Sequence, residues 1–152
     1  MATFRILLPY NYSPNDQKGI RFTIDAFGSC KGASVTVFHA YPPLPSIDYA
    51  ANPENTKMRS GMNYLAAELA EKEESLRRVA GLLVQSGFDA EAVTCVFKKR
   101  VKSAAEEIVD QASGCNVLVL SRGGGKVTQF FTRSIYARVV ATLRGVTICV
   151  AT

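Results

Sequence analysis

The chain has 152 residues, 47% of them hydrophobic and 20% charged, which excludes a disordered chain and provides the core of one domain. A net charge of +5 favours anionic ligands but falls short of a dedicated nucleic-acid binder, and no apolar run approaches a membrane span. Cys30, Cys95, Cys115 and Cys149 are dispersed with no C-x-x-C pair, which argues for free thiols in a reducing, cytoplasmic setting and against a disulfide framework.

Phe4–Leu8 reads as a buried first strand ended by Pro9, with no room before it for a targeting peptide. Ser13 or Asn15 is placed to cap a helix in which Ile20, Ile24 and Phe27 recur at helical spacing up to Gly28. Ala33–Ala40 is a second strand, β-branched and mostly apolar, as expected where both faces are covered. Tyr41–Asn55 carries four prolines and is expected to be a long irregular loop, a type that is often functional.

Lys57–Gln85 has a helical stripe of Leu65, Leu69, Leu76, Val79 and Leu83, suited to lying on a sheet, with Gly87 as its C-cap. Ala90–Phe97 is a third strand that exits into the basic cluster Lys98, Lys99, Arg100 and Lys102. Ser103-Ala-Ala-Glu106 has capping-box spacing and opens a helix that runs to Gly114. A fourth strand, Val117–Leu120, leads into the turn Gly123-Gly-Gly125. A helix from about Ser134 to Leu143 and a last strand, Val146–Ala151, close the chain.

Strand and helix alternate, so the expected architecture is α/β: a single domain, 1–152, with a five-stranded, mostly parallel sheet and four helices in a three-layer α/β/α sandwich. Ligands of such sheets sit beyond the carboxyl ends of the strands, where the strand order reverses. The candidate regions are Pro9–Ser13, Ala40–Tyr41, Lys98–Lys102 and Ser121–Ser134. The glycine turn is neither a Walker loop, since no Gly-Lys-Ser/Thr closes a G-x-x-x-x-G frame, nor the dinucleotide fingerprint, which belongs at the first strand-to-helix turn. A receiver-type magnesium site fails because Pro9-Tyr-Asn-Tyr-Ser13 has no carboxylate. One histidine, His39, cannot anchor a metal site and is expected to pack within its strand. Ser134 lacks a G-x-S-x-G context and an identifiable base, so helix capping is its expected role. Tyr10, Tyr12, Phe130 and Phe131 do not form a strand-borne stacking platform, which argues against nucleic acid.

Ile6–Ser13, Val35–Ala40, Ala104–Ile108, Asn116–Ser134 and Val146–Val150 together resemble the universal stress protein family along almost the whole chain. The resemblance implies a regulatory protein and not a turnover enzyme, at most a slow ATPase. It also implies a homodimer joined partly through the last strand, Val146–Val150. The family's nucleotide loop reads G-x-x-G, nine residues, then G-S/T. The corresponding residues here are Leu120-Ser-Arg-Gly123, nine residues from Gly124 to Thr132, and Arg133-Ser134. Leu120 and Arg133 replace two glycines, Asn11 stands where the family has an acid on the nucleoside, and Lys102 replaces the glycine before the third helix.

The resemblance therefore implies an adenine nucleotide, ATP or AMP, or another phosphorylated ligand, bound weakly or in altered form, with any magnesium arriving with the nucleotide. Pro9, Asn11 and Ala40 would border the nucleoside. Leu120, Gly123, Gly124, Gly125, Lys126, Arg133 and Ser134 would border the phosphates, where Arg133, Lys126 and Lys102 could supply charge-assisted contacts. Two alternatives stand beside this one: an interaction module that recruits a protein partner through its dimer surface and the Tyr41–Asn55 loop, and an ATP-hydrolysing or adenylate-forming enzyme.

Overall fold

A computed structural model describes residues 3–43, 55–122 and 135–152. Strands β1 (Arg5–Pro9), β2 (Ser34–Tyr41), β3 (Val93–Lys99), β4 (Val117–Ser121) and β5 (Thr147–Ala151) form one sheet in the order β3-β2-β1-β4-β5. Every adjacent pair is parallel. The helices between them are α1 (Asp16–Phe27), α2 (Asn55–Gln85), α3 (Ala104–Gln111) and a fourth, α4, helical over 135–142. The order runs one way from β1 to β3 and the other way from β4 to β5, so the reversal lies between β1 and β4.

Alternate side chains of each strand supply two cores, as a sheet covered on both faces requires. Ile6, Leu8, Val35, Val37, Val117 and Val119 pack under Ile20 of α1 and Leu76, Val79 and Leu83 of α2. Leu7, Phe38, Leu118 and Leu120 pack on the opposite face against Ile108 and Ala112, at the end of α3, and Val139 of α4. Of the stripe expected along α2, Leu76, Val79 and Leu83 are buried, whereas Leu65 and Leu69 are only half-buried. Among the described side chains of this 31-residue helix, the buried ones lie in its C-terminal half.

Glycine is needed at the joint between α1 and α2. Gly87 has φ +124°, and a Cβ there would lie 2.7 Å from the carbonyl oxygen of Gly28. Phe88 N–H donates to Leu83 O across this turn, at 3.2 Å, a Schellman-type ending that takes up an orphan carbonyl. The N-terminal ends of β1 and β4 are bracketed by Asn116. Its Oδ1 accepts Arg5 N–H at 2.7 Å, and its Nδ2 donates to Thr3 O at 2.8 Å. Its backbone N–H donates to Arg5 O and its carbonyl accepts Thr147 N–H, both at 2.9 Å. Beyond that bracket the recorded β1–β4 register is short, Ile6 with Val117 and Leu7 with Leu118.

Several local expectations are corrected. Ala90–Ala92 forms a 3-10 turn, and β3 begins only at Val93. Asn15 is the N-cap of α1 but makes no side-chain cap bond; the carboxylate of Asp16 holds the turn instead. Ser103 caps α3 as expected, accepting Glu106 N–H at 3.2 Å. The reciprocal half of the capping box is not made, because the Glu106 carboxylate takes Arg138 of α4 at 2.8 Å. Residues 44–54, most of the expected Pro-rich loop, lie outside the described residues.

Candidate functional site

The carboxyl ends of the strands carry a cleft of about 360 Å³ that crosses the sheet. From the β3 side to the β4 side its wall comprises Arg100, then His39, Ala40 and Pro42, then Pro9, Asn11 and Asp16, then Leu120 and Ser121. Ile108 of α3 and Ile135 and Tyr136 of α4 line it as well. Of the site residues expected from sequence, Pro9, Asn11, Ala40 and Leu120 are all on this wall. Gly123, Gly124, Gly125, Lys126, Arg133 and Ser134 lie outside the described residues, but Ser121 and Ile135, close to either end of that segment, both line the cleft. Leu120 is 7% exposed and belongs to the core packed on α3 and α4, so a hydrophobic side chain fills this part of the wall.

The β1–α1 turn is built around one carboxylate oxygen. Asp16 Oδ2 accepts Ser13 N–H at 2.8 Å and Asn11 N–H at 3.1 Å. Burial raises the Asp16 carboxyl above its ordinary value, against the opposing effect of those two N–H groups. The turn's N–H groups at Asn11 and Ser13, which would otherwise attract an anion, are therefore already occupied. Behind them, α1 lies close on β4. Gly19 N–H donates to Ser121 Oγ at 3.1 Å, and a Cβ on Gly19 would come within 2.3 Å of that oxygen.

His39 is packed, as expected, yet it also faces the cleft. Its ring lies edge-on to Tyr12, with centroids 4.8 Å apart, and stacks on Phe97 at 5.7 Å. Nδ1 is 2.7 Å from Tyr10 O, and since a carbonyl only accepts, that nitrogen carries the proton. Burial first, and the nearby Lys72 charge after it, lower the His39 pKa, so the ring is neutral at pH 7. Tyr12 holds φ 59°, an uncommon left-handed angle for a bulky side chain, and its hydroxyl donates to Lys72 O. That packing keeps the ring between Tyr10 and His39.

The basic cluster does not act as a unit. Lys98 Nζ pairs with Glu107 Oε2 at 2.8 Å, and Lys102 Nζ with Asp110 Oδ2 at 2.6 Å. Lys102 is thus engaged on α3, and Arg100 is the member that reaches the cleft. At the other end, burial raises the Tyr136 phenol, against the opposing effect of the Arg122 charge. Among the described residues no three His, Cys, Asp or Glu side chains converge on a metal position, and no helix is long and apolar enough to cross a membrane.

Sequence reasoning did not single out Asp16 or Tyr136 within the cleft, whereas Ser121 opens the candidate region Ser121–Ser134. Asp16 left one usable signal, an acid in the first turn of a helix that follows a strand end. Tyr136 left only its place near the start of α4.

A family model described as the universal stress protein family matches residues 3–145. No curated protein matches the chain. Among solved structures, a universal stress protein UspA from Lactobacillus plantarum has a TM-score of 0.67 at 16% identity, covering 98% of this chain and 97% of that one. One from Archaeoglobus fulgidus in complex with dAMP has a TM-score of 0.63 at 16% identity, covering 98% of each chain. A further universal stress protein in complex with cAMP has a TM-score of 0.56 at 13% identity, covering 99% of this chain and 97% of that one.

Proposed function

The chain belongs to the universal stress protein family, and from that premise we propose that it is a cytoplasmic regulatory protein that binds an adenine nucleotide or another phosphorylated ligand, weakly or in altered form. The observation that carries this reading is the single cleft that gathers Pro9, Asn11, Ala40 and Leu120 and reaches residues near both ends of the glycine segment. Its volume, about 360 Å³, is in the range of small-molecule sites. Relatives of the same fold are described in complex with dAMP and cAMP. In this arrangement the nucleoside lies over the β1 and β2 exits, bordered by Pro9, Asn11 and Ala40. The phosphates lie towards Leu120, with Gly123–Lys126, Arg133 and Ser134 proposed to border them. No resident metal is assigned, and magnesium would arrive with the phosphates. Calorimetric titration with ATP, ADP and AMP tests the reading, and absence of heat with all three removes it.

A second reading, a dimeric interaction module, is favoured by the outer edge of β5. This strand pairs only with β4 among the described residues, and Ile148, Cys149 and Val150 are half-buried. An open edge is a template for pairing with a second copy. In this reading the homodimer would form through this last strand, Val146–Val150, and light scattering behind size exclusion tests it. A monomer at tens of micromolar would refute it. The enzymatic alternative, ATP hydrolysis or adenylate formation, ranks behind both, and phosphate release that is lost in S134A would revive it.

A further inference from the structure

Three polar side chains are buried among the described residues: Asp16, Thr23 and Glu107. Two of them are fully used inside the fold. Thr23 Oγ1 donates to Gly19 O at 2.7 Å. Glu107 engages both oxygens, Oε1 with the N–H groups of Val101 and Lys102 and Oε2 with Lys98. Asp16 engages only one. Its Oδ2 holds the β1–α1 turn, and among the described residues Oδ1 accepts no hydrogen bond and pairs with no cation. No fully enclosed side-chain oxygen or nitrogen lacks a partner among the described residues, so an oxygen without one borders open space. For Asp16, a residue only 4% exposed, that space is the cleft it lines.

We propose that Asp16 Oδ1 is the acceptor by which the cleft reads a ligand hydroxyl, and that the group it reads is a sugar hydroxyl of a nucleoside. The proposal rests on the nucleotide reading above and specifies how that ligand is oriented and selected. A carboxylate oxygen held at a cavity wall is an acceptor only, so it favours a hydroxyl donor and repels phosphate. The backbone of the neighbouring turn offers phosphate no N–H at Asn11 or Ser13, because both are spent on Oδ2. Phosphate is thereby directed away from the β1 exit, towards the β4 side of the cleft at Ser121 and Tyr136. Along the strand order the wall presents a cation at Arg100, a carboxylate at Asp16, and then the side chains of Leu120 and Ser121.

The test compares AMP, 2′-deoxy-AMP and 3′-deoxy-AMP on the wild-type protein and on D16N by calorimetry. The asparagine keeps an oxygen for the two turn N–H groups and puts an amide NH2 where Oδ1 was. The wild type is expected to lose about 10- to 100-fold in affinity when the hydroxyl it reads is absent, the span of one hydrogen bond to a charged group. D16N is expected to bind AMP more weakly and to bring that ratio close to one, while its affinity for the deoxy analogue stays nearly unchanged. Equal wild-type affinity for all three, or a ratio that survives in D16N, overturns the proposal and leaves the nucleotide reading intact. Failure of the wild type to bind any nucleotide overturns both. If D16N does not fold, D16S takes its place in the same comparison, and a wild-type ratio that survives in it overturns the proposal.

Discussion

Removing the Glu107 carboxylate should loosen the β3–α3 turn that carries Arg100 to the cleft. Its Oε1 accepts Val101 and Lys102 N–H, both at 3.0 Å, and its Oε2 takes Lys98 Nζ at 2.8 Å. Hydrogen bonds to a charged group contribute about 1.5–3 kcal/mol each, so three would give roughly 5–9 kcal/mol if nothing replaced them. Water does replace them in part. The Lys98 side chain is 43% exposed and Val101 is 83% exposed. The expected cost of E107A is therefore about 3 kcal/mol, near the lower end for breaking a buried pair. E107Q keeps an oxygen for both N–H groups and forfeits the ion pair, at about 1 kcal/mol.

Acidity gives the sharper test of the same contact. The Lys98 hydrogen bond first, then the two N–H groups, hold the Glu107 carboxyl at about 2 against an ordinary 4.5. A folded pKa below the unfolded one means that the stabilisation is complete above about 4.5 and is lost as pH falls towards 2. Urea unfolding of wild type and E107Q at pH 7, 4 and 2.5 measures this. The stability gap between the two proteins should narrow at each acid step. A gap that stays constant down to pH 2.5, or an E107A within about 0.5 kcal/mol of wild type, would refute the reasoning.

Three further outcomes are expected. G87A should destabilise by about 2 kcal/mol or more in denaturant melts, since φ +124° is strained for alanine and its Cβ would meet Gly28 O at 2.7 Å. G19A should cost about 1–2 kcal/mol by displacing Ser121 Oγ, and G19A/S121A should recover to within about 0.5 kcal/mol of S121A, because the next neighbours, Leu8 Cδ1 and Val119 Cγ1, stand at an ordinary 3.5 Å. A double mutant no better than G19A would locate the clash elsewhere. Burial raises the thiols of Cys95, Cys115 and Cys149, so at pH 7 iodoacetamide should label these three at least about tenfold faster in urea than in the folded chain, as followed by mass spectrometry.

What could be read from the sequence was whatever depended on periodicity. Ile6–Leu8 and Val117–Leu120 are unbroken apolar runs because both faces of the central strands are covered, and the alternation of strand and helix pointed to the parallel sheet, though not to where its strand order reverses. Short-range choices were harder. Ala90-Glu-Ala92 carries no propensity that separates a 3-10 turn from a strand, so β3 was expected three residues too early. Within the cleft, Pro9, Asn11, Ala40 and Leu120 were named through the family frame. Asp16 and Glu107 were not, because each acts backwards along the chain on backbone N–H groups whose direction is set by a turn. The split of the basic cluster was hidden for a similar reason: Lys98 and Lys102 meet Glu107 and Asp110 only once α3 has folded back beside β3.

The Asn116 bracket also bears on how the protein would report an occupied cleft. It ties β1 to β4 at their amino ends, whereas the cleft opens between the same two strands at their carboxyl ends. The chain thus resembles a clothes-peg whose spring is Asn116 and whose jaws are the β1–α1 turn on one side and the carboxyl end of β4, at Leu120 and Ser121, on the other. A ligand touching both jaws would close a ring through the seam between the two halves of the sheet. Occupancy should then register as slower amide hydrogen exchange at Leu8, Pro9-adjacent Tyr10 and Leu120, with little change beside the bracket itself.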